Sequence, residues 1–413
     1  MRTTGAVAIL MTIALTMGGT ARTAGAQTTG TQVDSAQAKV ACAGNSDFDG
    51  DGVDDVVVGD PFADGGKGAV HVISGNGDKV IPVTVPGLQE NDAFGWSVGL
   101  AKVDPDNACA DLVVGAPYAD VDGVKDAGAV YVVYGGGSPA PVRLVAPQPQ
   151  RFAHFGWSLA TRGNVVVIGA PYEDQAQVAD AGSVYVREGT GKLIRINQDS
   201  VEVPGNGEVG DQFGWSLALA PGNRLLVGVP YENDDGAGRQ VDSGKTDSGS
   251  IVRIDDVLAS RYTGVKFDSP TSASGDRFGY SVAYSEGNGY AVTSPGKGYV
   301  QFLDGNLKPG RRVSGGTGFG FSMAASPDGK VAVGSPYKGE VRVLSFKNAS
   351  EDRKLPPSDG LFGWSLTYSG NKLFIGQPDS APAGQVSILA KSTDELRQLA
   401  PPAGADFGTA VAG

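Results

Sequence analysis

The sequence predicts an all-β fold: seven four-stranded units set around an axis, a seven-bladed β-propeller closed by its two termini. Three observations predict it. A short word, Phe-Gly, recurs seven times, at Phe94, Phe155, Phe213, Phe278, Phe319, Phe362 and Phe407. A second word, Gly-x-Pro or a close relative, follows each of the first six after an apolar run. Glycine supplies 63 of the 413 residues and proline 24, which favours frequent turns over long helices. A fixed word at a period of tens of residues marks a repeat architecture, and four-stranded units repeated radially make a propeller.

Each unit reads in order. After Phe-Gly comes an aromatic residue in six copies: all four tryptophans (Trp96, Trp157, Trp215, Trp364), Tyr280 and Phe321, with Thr409 in the seventh. A serine follows in six of the seven. From Phe to the second word the distance is 21 residues in the first unit and 14 or 15 in the next five, which fits two strands and a tight turn. The turns are legible at Gly163-Asn164, Gly222-Asn223, Gly287-Asn288, Asp328-Gly329 and Gly370-Asn371. A β-branched run such as Val165 to Ile168 suits a strand buried on both faces. The proline after it cannot donate to a ladder and ends the strand. The glycine removes a side chain where another backbone comes close, so that Phe packs between neighbouring sheets.

Third strands follow at Val70–Ile73, Val130–Tyr134, Val184–Arg187, Ile251–Ile254, Val300–Leu303, Val341–Leu344 and Val386–Leu389. Their alternation reads as half-exposed. A fourth precedes the next Phe-Gly, for example Val80–Val85. Phe-to-Phe distances of 41 to 45 residues in the later units match a four-stranded blade, and 58 to 65 in the earlier ones imply insertions.

Phe-Gly followed by Gly115-Ala116-Pro117 or Gly169-Ala170-Pro171 resembles the FG-GAP repeat. Over roughly residues 41–413 the chain resembles the N-terminal propeller of integrin α subunits and its bacterial secreted relatives. How the ring closes is open at this level. Gly59-Asp60-Pro61 precedes any Phe-Gly, and nothing like it follows Phe407. Either residues 406–413 complete the first sheet, or Lys39–Ala43 does and residues 405–413 form a cap.

The first 26 residues read as a secretory signal: Arg2, an apolar stretch over residues 5–17, and a small-x-small site at Ala24-Gly25-Ala26. Residues 27–40 read as a linker and 41–413 as the propeller. No other apolar run is long enough for a membrane span, so a secreted chain is expected. The formal net charge is −12; losing Arg2 and Arg22 with the signal makes it −14. That charge repels phosphates, so nucleic acid is not expected, and it points to cations, basic surfaces or neutral glycans. The two cysteines, Cys42 and Cys109, are expected to form a disulfide in an oxidising compartment; the alternative is two separate buried thiols.

One segment carries metal chemistry. Asp47, Asp49, Asp51 and Asp55 stand at positions 1, 3, 5 and 9 of a tight loop, Gly52 permits the turn, and Val53 can add a backbone carbonyl. Hard oxygen donors in that number select calcium. The spacing resembles the calcium loop of FG-GAP blades. In the second blade Asp111 matches Asp55, but Val103, Pro105 and Asn107 occupy the ligand positions, so calcium is not expected there.

The insertions after the second word are long and acidic in blades 2 to 4. Asp120, Asp122, Asp126, Glu173, Asp174, Asp180, Asp234, Asp235 and Asp247 are the binding-surface candidates, on a face opposite the calcium loop. The same carboxylates equally suit a solvated rim that keeps the chain soluble. Tyr118, Tyr172, Tyr231 and Tyr337 share one phase and read as packing groups. Six copies of a serine argue against a nucleophile, no G-x-S-x-G elbow occurs, and His71 and His154 are the only histidines. The expected role is therefore non-catalytic: recognition or adhesion of an extracellular protein or glycan. Two alternatives stay open: a carbohydrate-active hydrolase or lyase using an acidic pair, and a lectin-like multivalent glycan binder.

Overall fold

The computed structural model describes residue 42 and residues 44–413, apart from 76–78, 138, 234–243, 350–351, 391–394 and 400–405. The signal segment, the linker and the candidates Asp234 and Asp235 lie outside the described residues. The described strands form seven antiparallel sheets of four. Blade 2 shows the pattern: an innermost strand Ser97–Ala101, then Asp111–Ala116, Ala129–Val133 and an outer strand Val142–Leu144. Innermost strands of successive blades lie side by side around the axis.

The C-terminus closes the ring. Ala410–Ala412 pairs antiparallel with Val56–Asp60, with Val57 opposite Ala412 and Gly59 opposite Ala410. It is the innermost strand of blade 1, whose other strands are Val56–Asp60, Ala69–Ile73 and Val80–Val83. The open question of closure is thus resolved for residues 406–413. Among the described residues the first strand is held by the last, and each is useless as an isolated edge without the other.

The core lies in seven slices, one at each blade junction, rather than in one centre. Phe94 packs with Val57, Val70 and Val72 of blade 1 and with Leu112 and Val114 of blade 2. Phe407 does the same between Phe374 and Ile388 of blade 7 and Val56 and Val58 of blade 1. All seven Phe-Gly phenylalanines are at most 1% exposed. Burying one contributes about 2–3 kcal/mol by area.

The two words meet in space. The Gly95 N–H donates to the Gly115 carbonyl at 3.0 Å, and Gly156 to Gly169 at 3.0 Å, each within one blade. Across the junction, a Cβ on Gly115 would sit 2.2 Å from the Gly156 carbonyl oxygen; on Gly59 it would sit 2.0 Å from that of Gly95. The Phe-Gly glycines also hold φ near +95°, as at Gly95 (98°) and Gly214 (95°), where a side chain is strained. The serine hydroxyls complete the seam. Ser97 donates to the Gly156 carbonyl at 2.7 Å, Ser158 to Gly214 at 2.7 Å and Ser365 to Gly408 at 2.7 Å. These hydroxyls bind blade to blade, which accounts for their repetition.

One expectation fails. The third strands are not half-exposed: Ser250–Ile254 and Tyr299–Leu303 are buried throughout. Blades stack face to face, so inner strands are covered on both sides. Exposure falls on the outer strands instead, such as Gly264–Asp268, where no residue is buried.

Candidate functional site

Each innermost strand starts, and each second strand ends, on the same face of the ring. That face therefore collects the aromatic residues after Phe-Gly, those after Gly-x-Pro, and the long insertions. The first set forms a continuous arc. Ring centroids are 4.9 Å apart for Trp96 and Trp157, 5.1 Å for Trp157 and Trp215, and 5.4 Å for Trp215 and Tyr280. The arc runs on through Phe321 to Trp364, at 5.6 and 4.8 Å. Thr409 of blade 1 interrupts it. Every member is half-buried, so one edge or face of each ring meets solvent.

A second tier stands edge-on behind the first. Tyr118 meets Trp96 at 5.5 Å, Tyr172 meets Trp157 at 5.4 Å, Tyr231 meets Trp215 at 5.4 Å and Tyr337 meets Phe321 at 5.7 Å. These tyrosines pack as expected, yet Tyr337 remains 70% exposed. His154 is wedged between Tyr118 (4.7 Å) and Tyr172 (5.1 Å), and its Nδ1 lies 3.0 Å from the Pro117 carbonyl oxygen. Burial holds its imidazole below the usual pKa, so it is a neutral packing group at physiological pH. The arc was missed in the sequence, although its signal was there: same-phase residues of a propeller converge on the axis.

The acidic candidates divide. Asp120, Asp122 and Asp174 are exposed. Asp126, Asp180 and Asp247 are half-buried turn residues with φ of 50°, 54° and 52°. Their N–H groups are capped by Asp120, Asp174 and Asn233. Their carbonyls accept from His154, Gln212 and Arg277, the residues before the next Phe-Gly. Glu173 is corrected outright: it is 1% exposed and accepts hydrogen bonds from Ser183 at 3.1 Å and Tyr185 at 2.6 Å, with Arg195 at 2.5 Å. A carboxylate with three such donors braces its blade and offers no surface.

On the opposite face, the blade 1 loop brings Asp47, Asp49 and Asp55 together, with one oxygen from each within 4.8 Å of the others. Asp55 Oδ2 accepts from the N–H groups of Phe48 and Asp49, and Oδ1 from Gly75. Asp47 caps Gly50 and Gly52. Asp51 turns elsewhere: Oδ1 accepts from the Val53 N–H at 2.8 Å and Oδ2 from the Ser74 hydroxyl at 2.5 Å. The Val53 residue is 40% exposed. Burial raises the Asp55 carboxyl, its backbone bonds oppose that, and Asp49 adds repulsion. Three converging carboxyl oxygens, two of them on buried residues, fit a hard cation. Blade 2 copies the frame without the donors: Asp111 accepts from Val103, Asp104 and Gly135. Cys42 and Cys109 form a disulfide that joins these two loops.

Comparison with known proteins agrees with this geometry. Residues 108–133 and 141–187 match the FG-GAP repeat. The chain is similar to integrin alpha-PS2 of Drosophila melanogaster, 33% identical over 169 residues covering 37% of this chain and 12% of that protein. It is similar to integrin alpha pat-2 of Caenorhabditis briggsae, 29% identical over 212 residues, 46% of this chain and 16% of that protein. The matched part is thus a small fraction of each relative. Among solved structures, a putative 6-phosphogluconolactonase from Bacteroides fragilis superposes with a TM-score of 0.56 at 13% identity, covering 86% of this chain and 96% of its own. A streptogramin B lyase gives 0.51 at 8%, covering 74% and 83%. At such identities these two share the fold alone. The chain is a seven-bladed β-propeller that carries FG-GAP repeats and resembles the propellers of integrin α chains.

Proposed function

We propose that this chain is a secreted, non-catalytic recognition module that binds an extracellular protein through the loop face of blades 2 to 4. The carrying observation is the half-buried aromatic arc from Trp96 to Trp364, rimmed by the exposed carboxylates Asp120, Asp122 and Asp174. Aromatic faces beside carboxylates suit a basic side chain, through cation–π attraction of about 0.5–2 kcal/mol per contact and steering by the acidic rim. Similarity to integrin α chains supports an adhesive role. Calcium at Asp47, Asp49 and Asp55 has a structural part in this reading, holding the loop that Cys42–Cys109 ties to blade 2.

The test is binding of the labelled chain to matrix proteins, basic peptides, cell-wall fractions and glycans, with calcium and with chelator. Saturable binding to a protein, lost in Trp157→Ala/Trp215→Ala and weakened by salt, supports the reading. Absence of any saturable binding by the folded chain overturns it. So does polysaccharide cleavage that disappears on changing one Asp or Glu. Several weak, equivalent glycan sites per chain would replace it with a multivalent lectin.

A further inference from the structure

A second carboxylate cluster lies on the loop face, at the junction of blades 3 and 4. Glu208 and Asp211 come from the segment that leads out of blade 3 into Phe213, and Glu232 follows Tyr231 of blade 4. One oxygen of each lies within 4.8 Å of the other two, and the residues are 4%, 0% and 4% exposed. This is a different place from the blade 1 loop, which is on the opposite face.

The same turn recurs elsewhere with a different neighbour. Asp211 Oδ2 accepts from the Glu208 N–H at 2.8 Å, as Asp92 does from Gln89 and Asp276 from Ala273. In the other two blades a basic side chain lies beside that aspartate. Lys297 is 3.8 Å from Asp276, and Arg143 offsets the charge of Asp92. At Asp211 the neighbours are two more carboxylates. Lys266 reaches the cluster through Glu232 at 2.8 Å.

Two buried oxygens point to what is needed there. Asp211 Oδ1 has no hydrogen-bond partner among the described residues. Gln198, 1% exposed, donates from Nε2 to Glu232 Oε2 at 3.0 Å, and its Oε1 likewise has no partner. An unsatisfied buried acceptor costs about 1–3 kcal/mol, more for a charged group. We propose that Glu208, Asp211 and Glu232, with Gln198 Oε1 as a further donor, hold a divalent cation between blades 3 and 4. The donors are all hard oxygens, and oxygens within 4.8 Å of each other reach a common ion at the roughly 2.3–2.6 Å typical of calcium. The ion gives the unpartnered Asp211 Oδ1 a partner and ties the exit of blade 3 to blade 4, at the root of the longest insertion. Burial and the charge of Glu232 push the Asp211 carboxyl up to about 8 when no cation is bound, so protons are the competing occupant.

The experiment counts calcium on the full chain after chelation and reconstitution, by equilibrium dialysis and elemental analysis. The unaltered chain is expected to retain about two ions, one per carboxylate cluster. Glu208→Gln removes one and leaves the blade 1 loop loaded, Asp49→Asn removes the other, and the double variant binds none. Retention unaffected by Glu208→Gln overturns the site, whatever happens at the loop. Loss in Glu208→Gln with no effect of Asp49→Asn upholds it and removes calcium from blade 1 instead. Should Glu208→Gln fail to fold, crystals of the unaltered chain soaked in manganese decide. An anomalous peak among Glu208, Asp211 and Glu232 supports the site; its absence while the loop shows one overturns it. Ligand binding is not read in either measurement, so failure of the recognition reading leaves this outcome intact.

Discussion

Blades 2 to 4 and blades 5 to 7 are built on one frame and differ in what is hung on it. Successive Phe-Gly words are 61, 58 and 65 residues apart in the first group, and 41, 43 and 45 in the second. Most of the added residues lie beyond the Gly-x-Pro word, although blade 2 also lengthens the stretch before it to 21 residues, and the Phe-Gly seam is kept. Phe155 and Phe362 are equally buried, and Ser158 and Ser365 both donate to the next blade's glycine carbonyl at 2.7 Å. The lesson is a division of labour. The words set blade-to-blade packing, and the insertions carry charge at their tips while their ends, at Asp126, Asp180 and Asp247, still bond to the residue before the next Phe-Gly.

The sharpest break in that comparison lies at the glycine of the second word. Gly228 in blade 4 would place a Cβ 2.0 Å from the Gly279 carbonyl oxygen. Blade 5 already carries Thr293 at this position, with Oγ1 accepting from the Ser281 N–H at 3.0 Å. Gly228→Ala is expected to destabilise by about 3 kcal/mol or more, through overpacking against backbone. Thr293→Gly is expected to cost only about 1–2 kcal/mol, for a lost hydrogen bond and added chain entropy. Denaturant titration of both checks this. Equal effects would mean that blade 5 obeys the same rule and that its threonine is a tolerated flaw.

Much of this frame was legible. The apolar runs, the turns and all seven third strands fall where periodicity and glycine placed them, because those signals are local. Three things were not legible, for a common reason. The burial of strands such as Tyr299–Leu303 comes from the neighbouring blade. The aromatic arc joins residues 41 to 65 positions apart that share only their phase. Glu173 resembled its exposed neighbour Asp174, and it is the third strand's Ser183 and Tyr185 and the outer strand's Arg195 that draw it inside. The carboxylates at Glu208 and Glu232 likewise looked like ordinary members of an acidic chain until the ring brought them to Asp211. Alternation along one strand reports that strand's own faces, whereas these features depend on what stands across a junction.

The disulfide sharpens the contrast between the stapled junction of blades 1 and 2 and the unstapled ones. Cys42 and Cys109 are 67 residues apart, a closure that the chain-entropy account values at about 4 kcal/mol. The bridge also sets the two loops so that the Ala110 N–H donates to the Asp47 carbonyl at 2.8 Å. Cys42→Ala/Cys109→Ala is expected to lower stability by about 2–4 kcal/mol and to weaken calcium retention at the blade 1 loop. A variant that loses stability but keeps calcium unchanged would separate the staple from the proposed calcium site of the blade 1 loop.

The smallest effect is expected where the closing strand meets blade 1. His71 is 5% exposed, lies opposite Val58 and Pro82, and stands edge-on to Phe407 at 5.6 Å. Burial lowers its pKa, and the charge of Asp60 only partly opposes this. The folded chain therefore favours the neutral ring, while the unfolded chain takes up a proton near pH 6.5. The contribution to stability is full above that pH. It falls as the pH drops through 6.5 towards the lower folded value, by at most about 1.4 kcal/mol per pH unit for one proton. His154 is shifted the same way in the loop-bearing half, so it supplies the internal control. Unfolding midpoints between pH 7.5 and 5.5 are expected to fall less in His71→Leu than in the unaltered chain. If only His154→Leu flattens the profile, the acid-sensitive point is the loop face and not the closure.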